Sequence, residues 1–274
     1  MDKRMATSPK VVLVTGASSG FGKAAAEQLA QRGHMVYGTR AADKPMTSGA
    51  VRMMRADVRD MAQVGRCVAQ VLEASGRIDV LINNAGIGVF GAVEDMSPEL
   101  AQQQFAVNYW GYVHMIQAVL PAMRRAGHGR ILNIGSLGGR VGLPFQAHYS
   151  ATKFALEGLV EALRLELSGT GIDATLICPG DFKTGFTAAR TIGWGSAKDH
   201  YRAKIEAALR QVEKDEAGGS DPQRVSDLMV QLVEARGVKG RYVVAKAAQR
   251  WPVWLKPLLP PSVFESILRS AYRL

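Results

Sequence analysis

Short apolar runs alternate with longer amphipathic stretches along the chain, and that alternation limits the fold more than any other feature. The runs at residues 11–15 (VVLVT), 35–39 (MVYGT), 51–58 (VRMMRADV), 78–86 (IDVLINNAG), 129–136 (GRILNIGS), 172–180 (IDATLICPG) and 240–245 (GRYVVA) read as seven strands. Between them lie helical patterns at about residues 23–33, 60–74, 98–126, 149–167 and 197–236. Strands separated by helices of ten or more residues need right-handed crossovers and a parallel sheet. The expectation is a doubly wound α/β domain over residues 1–245, its seven-stranded sheet mostly parallel with helices on both faces. A basic, apolar tail follows over residues 246–274. In such sheets ligands bind outside the carboxyl ends of the strands, where the strand order reverses.

The first strand runs directly into TGASSGFG at residues 15–22. Gly16, Gly20 and Gly22 let the backbone turn tightly, with no Cβ to hold a phosphate away. The helix that follows points unpaired N–H groups and the positive end of its dipole at the same place. A strand, a Gly-rich turn and a helix in this order open Rossmann-like dinucleotide-binding folds. Ser18, Ser19 and Phe21 complete the predicted phosphate loop. At the end of the second strand, where an acid would accept a bond from a ribose 2′-hydroxyl, the sequence has Arg40. A guanidinium suits a 2′-phosphate, so NADP(H) is preferred and NAD(H), with Asp43 close by, is the alternative.

Tyr149 and Lys153 stand four apart at the head of a helical stretch whose apolar stripe runs through Leu156, Leu159, Val160, Leu163 and Leu167. On a helix such residues are neighbours, about 5–6 Å apart at Cβ. The same spacing recurs at Tyr242 and Lys246. That pair falls on a strand, where four residues span roughly 13 Å, so only the first pair can cooperate. A lysine cation about 4 Å from the phenol, at an effective dielectric near 20, would lower the tyrosine pKa by roughly three units. Ser136, at the carboxyl end of the fifth strand, can donate to an oxygen on which charge develops.

Taken together, TGASSGFG, NNAG at 83–86, NYWG containing Asn108, ILNIGS ending at Ser136, YSATK at 149–153 and PGDFKT at 179–184 resemble the short-chain dehydrogenase/reductase family over residues 10–245. The spacing T-G-x-x-x-G-x-G is that of its single-domain branch. The resemblance implies roles. Tyr149 is the general acid/base. Lys153 binds the nicotinamide ribose and lowers the tyrosine pKa. Ser136 holds the substrate oxygen, and Asn108 helps hold a relay water. Asp57 and Val58 face the adenine; Asn83, Asn84, Ala85 and Gly86 line the cofactor; Pro179 and Gly180 adjoin it; and Thr184 meets the nicotinamide carboxamide. The expected activity is hydride transfer between NADP(H) and a carbonyl or secondary alcohol. The alternative is a non-catalytic dinucleotide-binding sensor or scaffold acting through the tail.

Phe90, Leu143, Phe145, Phe182, Phe186 and Trp194 flank the predicted site without a cluster of cations. They suggest a small apolar alcohol or ketone, steroid-, retinoid- or fatty-like. The net charge is +10, and from Arg236 onward eight basic residues face a single acid, Glu265. With no nucleic-acid motif beside it, this charge points away from nucleic acid, and the tail is expected to pack on its own domain, on a second subunit or at an anionic lipid surface. Ser262 and Glu265 form a capping box, and Val263, Phe264, Ile267, Leu268 and Ala271 form a predicted apolar stripe on one tail helix. A homo-oligomer, dimer or tetramer, is expected. Cys67 and Cys178 lack metal or redox spacing and read as buried thiols of a reducing compartment. The polar start MDKRMATSPK lacks the apolar core of a signal peptide. The expected location is cytoplasmic, with peripheral contact at a membrane surface through the tail.

Overall fold

A computed structural model describes residues 8–41, 49–183, 186, 189–193, 195, 198–272 and 274. Its elements run β1 (Val11–Val14), α1 (Gly20–Gln31), β2 (Met35–Arg40), β3 (Val51–Arg55), α2 (Met61–Ser75), β4 (Val80–Asn83), β5 (Val89–Phe90), α3 (Pro98–Phe105), α4 (Gly111–Ala126), β6 (Gly129–Ile134), α5 (Ala147–Glu166), β7 (Ile172–Pro179), β8 (Thr191–Ile192), α6 (Lys198–Ala217), α7 (Gln223–Glu234), β9 (Arg241–Val244), α8 (Ala247–Leu255) and α9 (Pro261–Tyr272). The central sheet has seven strands in the order β3-β2-β1-β4-β6-β7-β9. Every pairing in it is parallel. The seven sequence-predicted strands are these seven. The two-residue strands β5 and β8 pair separately and carry too short a pattern to be legible in sequence.

Strand periodicity divides the core into two layers. Val11 and Leu13 of β1 face one side with Val64, Val68 and Val71 of α2 and Met115, Val119 and Met123 of α4. Val12 and Val14 face the other with Ala25, Ala26 and Leu29 of α1 and Val225, Met229 and Val233 of α7. This two-sided burial explains why the strands read as continuous apolar runs and not as alternating ones. The chain leaves β1 toward β2 and β3, then crosses back to place β4 on the other side of β1. The carboxyl ends of β1 and β4 therefore bound the crevice where the order reverses.

The helical pattern over 98–126 is not one regular helix. A π-helical turn at Ala106–Trp110 separates α3 from α4. One residue extra in the turn redirects the side chains after it. Gly111 then meets Val58 so closely that a Cβ there would lie 2.6 Å from a Val58 methyl.

The tail forms two helices, and the sequence pattern revealed only α9. Phe264 is buried and Leu268 half-buried, whereas Val263 and Ile267 stay 46% and 45% exposed. The predicted single stripe is thus split between an inward and an outward face.

Candidate active site

The Gly-rich turn is tied to the end of β4. Thr15 Oγ1 accepts bonds from the backbone N–H of Asn84 (2.9 Å) and Ala85 (3.1 Å). Asn84 Nδ2 donates back to the carbonyls of Thr15 (3.0 Å) and Gly16 (3.1 Å). This clamp fixes the turn across the crevice. Gly20 has φ +53°, and a Cβ there would meet open space. Gly22 packs inward, so that a Cβ would collide with the Asn84 amide. Ser19 caps α1 with no side-chain bond to its first turn, which leaves those N–H groups directed at the crevice. Ser18 is half-buried and Ser19 exposed beside them. Phe21 turns away and packs edge-on against Phe182, ring centroids 5.4 Å apart. Its side chain belongs to the core beneath the turn.

Arg40 ends β2, half-buried, with its Nε buried and without a hydrogen-bond partner. A buried guanidinium N–H left over at this edge is a donor suited to a bound anion. Asp43 lies outside the described residues. Asp57, just past β3, is gripped by Arg59 through bonds of 2.6–3.0 Å, which hold its carboxyl below the usual range. The Val58 side chain is buried in the core, and its carbonyl meets His114 Nδ1 at 2.9 Å.

Asn83 points into the sheet. Its Nδ2 donates to Asn133 Oδ1 at 3.1 Å and toward the Tyr112 carbonyl at 3.4 Å, so its side chain serves the β4–β6 junction. Ala85 and Gly86 continue along the rim. A Cβ at Gly86 would come within 3.4 Å of Asn108 Oδ1. Asn108 is buried in the π turn. It accepts from Ile87 N (2.8 Å) and donates to the Ile87 carbonyl (2.9 Å) and Thr152 Oγ1 (3.3 Å).

The proposed acid/base group lies at the carboxyl end of β6. Ser136 follows that strand, accepts from Gly138 N at 3.0 Å and hydrogen-bonds Tyr149. Tyr149 stands in the first turn of α5, half-buried. Lys153, one turn on, is 4% exposed and donates from Nζ to the Ile134 carbonyl at 2.9 Å. Its Nζ lies 5.8 Å from the Tyr149 ring centre and 5.4 Å from that of Tyr112. The charge balance differs from the sequence-based expectation. Burial raises the Tyr149 pKa, and the Ser136 bond and the Arg190 charge only partly offset it. Burial also lowers Lys153 to about 8. Burial is the largest cause of both shifts, and the ammonium is turned to a backbone carbonyl and not to the phenol oxygen.

Pro179 ends β7 and Gly180 follows it. Gly180 N donates to the Val244 carbonyl at 2.9 Å, and a Cβ at Gly180 would meet Gln249 of α8. Thr184 and Trp194 lie outside the described residues. Phe186 stands over Tyr149 with ring centres 6.0 Å apart. Leu143 lies near the same ring, both being the nearest neighbours of Gly138. Phe90 and Phe182 are instead core residues. Phe145, at φ +58°, borders a cavity of about 470 Å³ with Ala92, Val93, Glu94 and Tyr201.

Sequence reasoning missed a polar group beside this site. Arg190 has a side chain only 3% exposed and pairs with Glu216 at 2.6 Å. Asp181 accepts from Gln249 Nε2, and burial with the charges of Asp215 and Glu216 pushes it up to about 6. These residues come from a loop, α6 and α8, and no local spacing joins them. Cys67 and Cys178 are free and buried, with thiols pushed up to about 11 and about 12.

The comparisons agree with this geometry. The family model for short chain dehydrogenase matches residues 10–193. The chain is 42% identical over 267 residues to a 3-ketodihydrosphingosine reductase of Bacteroides thetaiotaomicron, covering 96% of this chain and 98% of the relative. It is 36% identical over 253 residues to 17-beta-hydroxysteroid dehydrogenase type 1 of Mus musculus, covering 85% of this chain and 73% of the relative. A short-chain dehydrogenase structure from Streptomyces avermitilis superimposes with TM-score 0.81 at 30% identity, covering 97% of this chain and 96% of that one. Solved relatives include complexes with NAD and with NADP+. Motif order, sheet topology and these matches agree: the chain belongs to the short-chain dehydrogenase/reductase family of oxidoreductases.

Proposed function

We propose that this oxidoreductase reduces a ketone on a long apolar molecule with NADPH, and that a 3-keto sphingoid base or a ketone of similar shape is the substrate class. The observation that carries the reading is the convergence of Ser136, Tyr149 and Lys153 at the sheet edge beside the glycine cradle. A pure sensor or scaffold has no use for a phenol, a hydroxyl and an ammonium arranged in this way.

The residues fit a dinucleotide. The Gly20 cradle is open, the first turn of α1 offers N–H donors, and Arg40 holds an unpaired buried N–H. The bound dinucleotide would supply the hydride. Lys153 would hold the ribose beside it. Ser136 would donate to the carbonyl oxygen and orient it, and Tyr149 Oη would give up its proton as the oxygen becomes an alkoxide. A phenol pKa raised by burial keeps the hydroxyl protonated at neutral pH, the form that can donate to a ketone oxygen. Leu143 and Phe186 beside the phenol suit an apolar chain, and the two named relatives support lipid-like or steroid-like ketones.

The test is oxidation of NADPH and NADH, followed at 340 nm with 3-ketodihydrosphingosine, a steroid ketone and small keto sugars. The expected result is turnover of the apolar ketones with a preference for NADPH. The substitution Arg40→Asp should reverse the NADPH/NADH preference by at least about tenfold, since a charge-assisted contact is replaced by repulsion. Turnover confined to keto sugars, or an unchanged cofactor ratio in the variant, would refute the corresponding half of the proposal.

A further inference from the structure

Helix α8 is seated on the protein through one side, where Leu255 is half-buried, and leaves its other side exposed. Gln249, Pro252 and Val253 are half-buried. Gln249 donates to Asp181, and Lys256 donates to the Arg140 carbonyl at 2.8 Å while lying over the Phe154 ring. The opposite side carries Trp251 and Trp254, 64% and 65% exposed, and Leu258, 76% exposed, in the turn that follows. Trp251 and Trp254, three apart on the helix, share its outward face, and Leu258 is exposed in the turn beyond it. In α9, Phe264, Leu268 and Tyr272 turn inward, with Tyr272 against the Phe90–Ile205–Ala208 cluster. Val263 and Ile267 turn outward, as does Leu274 after the helix at 40% exposure. Half of the exposed large apolar side chains among the described residues thus fall within the last 24 positions.

Charge accompanies this surface. Among the described residues from 246 on, Lys246, Arg250, Lys256 and Arg269 stand against Glu265 alone, which Arg269 pairs at 3.2 Å, and Arg250 stands exposed beside the tryptophans. Exposed tryptophans with basic neighbours are the composition of helices that lie in a membrane interface, where indole rings sit at headgroup level and cations meet anionic lipid. No helix among the described residues is long and apolar enough to cross a membrane, so the tail would lie on a bilayer without spanning it.

We propose that the outward face of α8 and α9, led by Trp251, Trp254 and Leu258 with Arg250 beside them, docks the enzyme on an anionic lipid bilayer. The inner face of the same segment touches Gly180 and Asp181 at the end of β7. Docking would therefore hold the bilayer next to the substrate side of the site. The proposal rests on the tail itself and not on the identity of the substrate.

The test is flotation of the full chain with vesicles of phosphatidylcholine alone and of phosphatidylcholine with about one-third phosphatidylglycerol, at low salt and at about 0.5 M salt. The wild type should float with the anionic vesicles, weakly with the neutral ones, and less at high salt. The triple substitution W251S/W254S/L258S should lower the partition coefficient at least about tenfold, and turnover of a water-soluble ketone should be unchanged. Arg250→Glu, which leaves every apolar side chain in place, should lower it about fivefold or more, near 1 kcal/mol per cation. Sedimentation velocity without lipid checks the rival occupant, a second copy of the chain. The proposal is overturned if the wild type does not float, if both variants float as it does, or if the triple substitution dissociates an oligomer that never bound lipid.

Discussion

Lys153 shows how chemistry opposes stability at a single residue. Burial lowers its pKa from 10.5 to about 8, so the native state penalises the charged form. Between about pH 8 and 10.5 the unfolded chain binds more protons than the native one, and stability rises with pH across that window. Below pH 8 the full penalty applies, at most about 3 kcal/mol from a shift of this size. Lys153→Met should therefore raise stability at pH 7 by about 1–2 kcal/mol, once the roughly 1 kcal/mol bond to Ile134 is subtracted. The Ile134 carbonyl keeps a second donor, the Tyr112 hydroxyl at 3.0 Å. The gain should fade by pH 10.5. Denaturant melts of both proteins at the two pH values measure it, and a variant no more stable at pH 7 than the wild type would refute the penalty. The lysine was legible from its spacing to Tyr149, but the sign of the coupling was not. Sequence spacing supplies a distance, whereas desolvation depends on Tyr112, Ile134 and the rest of the surrounding packing.

At the scale of elements, the strand–turn–helix unit at residues 11–31 was the most legible part of the chain, because its punctuation is local. The strand, the Gly-rich turn and the helix that follows it were all readable in order, and with them the expectation of an anion cradle. The clamp that holds it was not legible, since Thr15 and Asn84 lie 69 positions apart in sequence and meet only when β4 pairs with β1. Gly22→Ala tests this unit. Its Cβ would push into the Asn84 amide and release both the turn and the β4 rim. The expected cost is about 1–3 kcal/mol of stability, together with a loss of NADPH affinity larger than any change in KM for the ketone. Thermal melts and cofactor fluorescence titration report the two effects, and an unchanged dinucleotide affinity would show that the clamp does not shape the cradle. Periodicity located the 98–126 helix but not its π turn, because a five-residue π segment is too short to carry a readable pattern of its own. In the tail, periodicity grouped Val263 and Ile267 with Phe264 and Leu268, although only the second pair turns inward.

At the scale of the whole molecule, the parallel topology assembles the site. Ser136 follows β6, Tyr149 and Lys153 ride on α5, Asn108 sits between α3 and α4, and the glycine cradle follows β1. Right-handed crossovers bring all of them to one edge of one sheet. The order of motifs made that edge readable before any coordinates. The Arg190–Glu216–Asp181 group beside it depends on how α6 and α8 pack over the edge and was not readable. The central claim is that this edge delivers a proton from Tyr149 to a substrate oxygen. Its most direct measurement is single-turnover NADPH oxidation by Tyr149→Phe, with cofactor affinity titrated in parallel. The rate should fall by about 10²–10⁴ with dinucleotide binding within about twofold of the wild type. A phenylalanine variant that reduces the ketone at close to the wild-type rate would contradict it.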